Sequence, residues 1–319
     1  MQRITKVIAL SVLTAGLLAV GSAQAKQLVI AGIVFQQDQY FRTVQIGMRD
    51  AAKAAGAELL EANSDNKLEK ESQLIDTYIA RGVDAIVIAP LSAKGSMNAI
   101  QKARDKGITV VTYGTSVDGD LAQASVTSSD RDLGASVGKD ASQYIQQHLP
   151  AGKPVKLAVI AFKSQVPEQS DARVGGFLSQ VKPQVTVVAQ QDAWLAEKAV
   201  AVVGDVITAN PDVQVIFAAN EGGTVGAVQA VKNAGKAGKI AVFGVDGTEQ
   251  TAKAILSQDG ILQAVAAQQP YLVGKNAVDA AVALNAKKPV QKNEVVPVKL
   301  LTRQQPGPVT DFLAEIKKY

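Results

Sequence analysis

What most constrains this chain is a series of short, continuous apolar runs that alternates with amphipathic segments, breaks off in mid-sequence and starts again. Leu28–Phe35, Glu58–Ala62, Ala85–Ala89 and Thr109–Tyr113 are each too short for a helix and mostly uninterrupted by polar residues, as strands buried on both faces should be. Between them, Gln39–Ala55 places Phe41, Val44, Met48 and Ala51 on one face and stops at Gly56. Lys67–Arg81 spaces Leu68, Leu74, Tyr78 and Ile79 helically and stops at Gly82, and Ser92–Lys106 stops at Gly107. A βαβαβαβ run of this kind buries a parallel sheet between helices through right-handed crossovers. The second series predicts strands at Leu157–Phe162, Val185–Ala189, Val213–Ala219 and Ile240–Val245. Its helices fall near Ser170–Val181, Glu197–Ala209, Gly222–Ala234 and Thr248–Ser257.

The expected fold class is therefore α/β, with two doubly wound parallel-sheet lobes. The 319 residues exceed one ordinary core of roughly 100–200 residues. The abundance of Ala and Val, with one Trp, six Tyr and seven Phe, suits packed helices and buried strands better than a β-sandwich. Gln123–Ser129, Leu262–Gln268 and Val295–Leu301 read as strand-like pieces at three crossings between the lobes, which together would make a hinge. The lobes expected are residues 26–128 plus 269–298, and 129–268 plus 299–319. Open α/β sheets bind ligands outside the carboxyl ends of their strands, so opposed lobes would offer two such edges to one small molecule.

Met1–Ala25 reads as a secretory signal peptide: Arg3 and Lys6 make a basic start, Val7–Val20 is mostly apolar, and Ala23-Gln24-Ala25 fits a small-x-small cleavage site. No later apolar run approaches the roughly 20 residues that cross a bilayer. The 33 basic residues less Arg3 and Lys6 leave 31 against 29 acidic ones, a balance that gives no reason to expect nucleic acid. With no Cys there is no lipid-anchoring thiol, disulfide framework, thiolate metal site or cysteine nucleophile, and a single His rules out any site built on two imidazoles. His148 is expected to cap a helix end. Gly134-Ala135-Ser136-Val137-Gly138-Lys139-Asp140 imitates a phosphate-binding loop, but its glycines are one residue too close, Asp140 replaces the hydroxyl residue, and it lies within a helix. The first strand-to-helix turn has Gly32 without G-x-G-x-x-G, which disfavours a dinucleotide site.

The order of motifs resembles the type I periplasmic sugar-binding proteins of ABC importers, the group that includes ribose- and galactose-binding proteins, over nearly the whole mature chain. The residues that carry the resemblance in the first lobe are Gln39-Tyr40-Phe41, Arg81-Gly82-Val83-Asp84-Ala85-Ile86-Val87-Ile88-Ala89-Pro90 and Lys106-Gly107-Ile108-Thr109-Val110-Val111. In the second they are Phe217-Ala218-Ala219-Asn220 with Gly226-Ala227, and Val242-Phe243-Gly244-Val245-Asp246-Gly247-Thr248. The chain looks closest to members whose fourth strand ends in Tyr-x-Thr, here Tyr113 and Thr115.

The resemblance implies a ligand site. Tyr40 and Phe41 match the aromatic pair after the first strand, with Asp38 just before it, and Trp194 matches the stacking aromatic of the second lobe. Asn220 and Asp246 match the polar residues ending two successive strands, and Gln268 the Gln of the second hinge strand. Aromatic planes suit the C–H faces of a sugar, and fixed polar groups its hydroxyls. Residue patterns offer plainer readings beside these: Phe41 shares a helix face with Val44 and Met48, Trp194 lies in a polar stretch, Asn220 suits a helix cap and Asp246-Gly247 a turn. Two departures stand out. Gly114-Thr115 replaces a common Asp-Arg, and the usual arginine falls at Asp171, with Arg173 expected to face elsewhere. Asp38, Asp171 and Asp246 would then crowd a cleft without an arginine, favouring a neutral polyol, an unusual sugar or an amine-bearing ligand. Asp246→Ala is expected to abolish ligand binding at little cost to stability.

The resemblance thus implies a monomeric, non-enzymatic periplasmic carrier with no cofactor, which closes on a sugar or polyol and delivers it to an inner-membrane ABC permease. Signalling through a chemoreceptor or sensor kinase is the alternative. A repressor of the same fold would need a helix-turn-helix where this chain has an export signal, and an enzyme would need paired acids or an activated nucleophile.

Overall fold

The computed structural model describes residues 26–150, 152–181 and 184–318, so the predicted signal peptide Met1–Ala25 lies outside the described residues. The first series folds as β1 (Val29–Val34), α1 (Gln39–Ala54), β2 (Glu58–Asn63), α2 (Leu68–Arg81), β3 (Ala85–Ile88), α3 (Met97–Asp105), β4 (Thr109–Tyr113) and β5 (Ala124–Ser128). The second is α4 (Asp130–His148), β6 (Val155–Ala161), α5 (Pro167–Val181), β7 (Val185–Asp192), α6 (Ala196–Ala209), β8 (Val215–Ala218), α7 (Glu221–Asn233), β9 (Ala241–Val245), α8 (Glu249–Leu256) and β10 (Leu262–Ala267). The chain ends with α9 (Pro270–Asn285), β11 (Asn293–Val296), β12 (Lys299–Thr302) and α10 (Pro306–Ile316).

Two six-stranded sheets result, ordered β11-β5-β4-β3-β1-β2 and β12-β10-β9-β8-β6-β7. The fold class is the expected one, two α/β lobes of doubly wound sheets. The pairings are parallel except for β10 with β12. Each sheet is covered on both faces, which explains the unbroken apolar runs. Along β1, Ile30 and Val34 enter one core cluster while Ala31 and Ile33 enter the cluster on the opposite face. The second sheet divides its side chains the same way, Ala158 and Ile160 to one side, Leu157 and Val159 to the other.

The chain passes from the first sheet to the second after β5, returns after β10, and crosses again between β11 and β12. Val295–Leu301 was expected as one strand. It is instead two pieces, β11 pairing with β5 and β12 with β10, separated at Pro297, which has no N–H to give a ladder. The third helix is also shorter than predicted. Ser92 to Ser96 form a turn in which the Ser92 hydroxyl accepts from Gly95 N–H at 3.0 Å, and α3 begins only at Met97.

Helices meet through glycines. A Cβ at Gly47 would lie 2.1 Å from the Tyr271 carbonyl, and one at Gly274 2.0 Å from that of Val44, so α1 and α9 approach backbone to backbone. Gly134 and Gly138 do the same for α4 against α5, facing the Arg173 and Phe177 carbonyls. The glycines that imitate a phosphate loop are thus packing residues inside a helix. Among the described residues no helix is long and apolar enough to cross a membrane.

Candidate functional site

In both sheets the strand order reverses beside the first strand of the lobe, between β1 and β3 and between β6 and β8, and the loops leaving those carboxyl ends form the place where such sheets take ligands. Asp38 ends the β1 loop and Asn220 the β8 loop. Residues of the two lobes come together here: a cavity of about 370 Å³ is lined by Gln39 from the first lobe and Glu221, Thr248, Glu249, Gln250 and Lys253 from the second. A groove of about 550 Å³ lies instead near the amino ends of β3 and β4, lined by residues including Asp84 and Lys106. The Asp84 carboxylate there already accepts from Val29 N–H and Lys26, so it offers no convergent free donors or acceptors.

Asp38 is the N-cap of α1. Its Oδ1 accepts from Phe41 N–H at 2.8 Å and its Oδ2 from the Gln36 amide. Half-buried Tyr40 follows in the first turn, its ring edge-on to Phe41 and packed against the first-lobe core. Burial, and then the Asp246 carboxylate, push the Tyr40 hydroxyl well above its ordinary pKa, with Asp130 and Asp38 adding and Arg173 opposing. That hydroxyl makes no hydrogen bond to the described residues.

The floor on the second-lobe side is an ion network. Arg173 on α5 donates from Nε to Asp130 Oδ1 at 2.8 Å, and from one terminal nitrogen to Asp246 Oδ2 and the Ala219 carbonyl, both at 3.0 Å. Its guanidinium lies 5.0 Å above the Phe162 ring. Asp246 also accepts from Gln268 at 3.1 Å and from Glu221 N–H at 3.3 Å. Its backbone is left-handed, φ +72°, which Asp tolerates better than most side chains. Asn220 caps α7 through Gly223 N–H and ties back to the Trp194 carbonyl at 2.9 Å. Trp194 is half-buried against the second-lobe core.

The family model of the periplasmic binding protein domain matches residues 30–289. The chain belongs to the periplasmic binding protein family. The ABC transporter periplasmic-binding protein YphF of Escherichia coli K12 is 31% identical over 296 residues, 89% of each chain. The ribose import binding protein RbsB of Bacillus subtilis is 30% identical over 268 residues, 83% of this chain and 84% of that one. Among solved structures, the periplasmic solute binding protein of Actinobacillus succinogenes with bound D-allose superposes with a TM-score of 0.77 at 26% identity, covering 92% of this chain and all of that one. Proteins of this family bind and release solutes rather than transform them, so the chain is not an enzyme.

In this periplasmic binding protein several residues singled out from sequence lie elsewhere than expected. Tyr113 is fully buried and donates to the Ile33 carbonyl at 2.9 Å, so it is a core residue closed off from the cleft. Phe41 is 5% exposed, edge-on to Phe35 at 4.5 Å and part of the same core, as its helical spacing with Val44 and Met48 demands. Thr115, by contrast, stays half-buried in the loop at the carboxyl end of β4, with its N–H on the Tyr113 carbonyl. Asp171 is exposed and paired with Lys163 at 2.8 Å. Arg173 takes the inward place: two residues on a helix are roughly 200° apart, so the two side chains point opposite ways. The reading of Arg173 as facing away, and of Asp246 as lacking an arginine, is corrected by the 3.0 Å pair.

Sequence reasoning missed Arg173, Asp130 and Glu221. A signal for Arg173 was present, since Ser170, Arg173, Val174, Phe177 and Val181 share the buried stripe of α5. Asp130 follows the N-cap Ser129 at the first crossing. Glu221 opens α7 beside Asn220. Burial raises its carboxyl, as do the Asp246 and Asp38 charges, while the Thr248 hydroxyl works the other way.

Proposed function

We propose that this protein is the substrate-binding component of a periplasmic ABC importer for a sugar, polyol or sugar derivative. The observation that carries the reading is the unpartnered Tyr40 hydroxyl, presented by one lobe against the Asp246–Arg173 network of the other. A ligand seated there touches both lobes at once, and only such contacts stabilise a closed form over an open one. Tyr40 and Trp194 supply ring faces for C–H surfaces, while Asp38, Thr115, Asn220, Asp246 and Gln268 supply polar contacts. RbsB is named for ribose import, and the Actinobacillus succinogenes protein is bound to D-allose.

The lobes, residues 26–128 plus 269–298 and 129–268 plus 299–319, would hinge at Ser129, Gln268-Gln269 and Pro297-Val298. The protein would work as a monomer, exported by residues 1–25, and pass its ligand to an inner-membrane permease. The named relatives are import and transporter binding proteins, and nothing among them favours the chemoreceptor alternative. The test is a thermal-shift panel of sugars and polyols, because a ligand of the folded state raises Tm by mass action. Small-angle scattering with the best hit should then show a smaller radius of gyration. A hit that leaves the radius unchanged would overturn closure.

A further inference from the structure

The expectation that Asp38, Asp171 and Asp246 together leave the cleft acidic does not survive in that form, because Asp171 pairs with Lys163 and Asp246 with Arg173. The unpaired acids are a different couple. Asp38 is contacted only by neutral donors, the Gln36 amide and Phe41 N–H, and the Glu221 carboxylate by the Thr248 hydroxyl. Among the described residues neither has a cationic partner. The one lysine lining the adjoining cavity, Lys253, is bound to Glu249 of the same helix turn.

Asp38 and Glu221 stand on opposite lobes. Each sits at the start of a helix, α1 and α7, and the cavity where the lobes meet is lined by Glu221 and by Gln39, the residue that follows Asp38. Burial raises the Glu221 carboxyl, and the Asp246 and Asp38 charges add to it. Beneath them, Arg173 meets two carboxylates, Asp130 and Asp246, so the floor also carries one negative charge in excess. Any motion that narrows the cleft drives these like charges together, and expels the water that screens them. A ligand of hydroxyl groups alone brings donors but no compensating charge. A ligand bearing an ammonium group would turn the repulsion into two charge-assisted hydrogen bonds, one to each lobe.

We propose that the cognate ligand carries a protonated amino group, held between Asp38 of one lobe and Glu221 of the other. The proposal rests on the preceding reading of the cleft as a carbohydrate site and narrows its substrate class to amino sugars or amino polyols. Glu221 thereby becomes a specificity-determining residue, selecting by charge what Tyr40 and Trp194 accept by shape.

The experiment is calorimetry at pH 7 with matched pairs: D-glucosamine and D-glucose, D-galactosamine and D-galactose, D-mannosamine and D-mannose, with the N-acetyl form of each amine as an uncharged control. At least one amine should bind about tenfold or more tighter than both its parent sugar and its N-acetyl form. Glu221→Gln should bring that ratio to within about twofold. Asp38→Asn tests the other lobe and stands in should Glu221→Gln fail to fold. Neutral sugars that bind as tightly as their amines, or a preference that survives both substitutions, would overturn the proposal and leave the carbohydrate reading intact. A panel silent for amines, neutral sugars and polyols alike would overturn both.

Discussion

Arg173 Nη1 lies 3.0 Å from Asp246 Oδ2, joining two residues 73 apart in sequence across the floor of the cleft, with 6% of the arginine side chain exposed. Asp130 holds the other side of the same guanidinium at 2.8 Å. Removing the arginine strands two largely buried carboxylates. Arg173→Leu should therefore lose about 3 kcal/mol in urea denaturation, the lower end of the range for broken buried pairs because both acids keep some contact with water. Adding Asp130→Asn and Asp246→Asn should recover a measurable part of it. A single variant as stable as the parent would show that the network does not hold the lobe together.

Asp246→Ala should cost stability as well as ligand binding, contrary to the sequence-based expectation. The residue accepts from Arg173, Gln268 and Glu221 N–H and adopts φ +72°, where Ala lacks the local hydrogen bonding that helps Asp or Asn. Asp246→Asn should be the milder change, by about 1 kcal/mol or more in the same denaturation assay.

Two tyrosines at the same end of the first sheet should behave oppositely. Tyr113→Phe deletes the bond to the Ile33 carbonyl and should cost about 1 kcal/mol while leaving ligand affinity unchanged. Tyr40→Phe deletes a hydroxyl that bonds to none of the described residues, so stability should hold and ligand affinity should fall. Calorimetry and thermal melts on the two variants separate these outcomes.

Adjacent glycines on α5 should give effects of opposite sign. A Cβ at Gly175 meets nothing within 4 Å, so Gly175→Ala should stabilise by about 0.5–1 kcal/mol through helix propensity. One at Gly176 would lie 2.1 Å from the Arg131 carbonyl, so Gly176→Ala should force α4 from α5 and cost about 1–3 kcal/mol. Thermal melts of the two single variants check both.

Glu71 is 1% exposed, and burial raises its carboxyl above the ordinary value, with the Ser96 hydroxyl and Leu91 N–H opposing. A raised carboxyl binds its proton more tightly in the folded state, so its share of stability is intact below the ordinary value of 4.5 and is lost as pH rises through the folded one. Glu71→Gln should accordingly raise Tm most at pH 8, the gain shrinking toward pH 4.5. A gain independent of pH would assign the effect to packing.

The amino-acid sequence by itself determined the layers, since the signals for strand, helix and stop are local and periodic. Thr109–Tyr113 appears as β4 with the bounds its apolar run suggests, and Lys67–Arg81 stops at Gly82, whose φ of +65° closes α2. It also placed Asn220 at a helix start, because capping chemistry reads over three residues.

Only the tertiary structure decided which side chains face the cleft. That Arg173 turns inward and Asp171 outward depends on how α5 is rotated on its sheet. That Tyr113 is sealed in depends on Ile33, 80 residues away. That Gln39, beside Asp38, and Glu221 line one cavity depends on the approach of two lobes. Such relations arise from packing between distant segments, for which the chain carries no local or periodic signal.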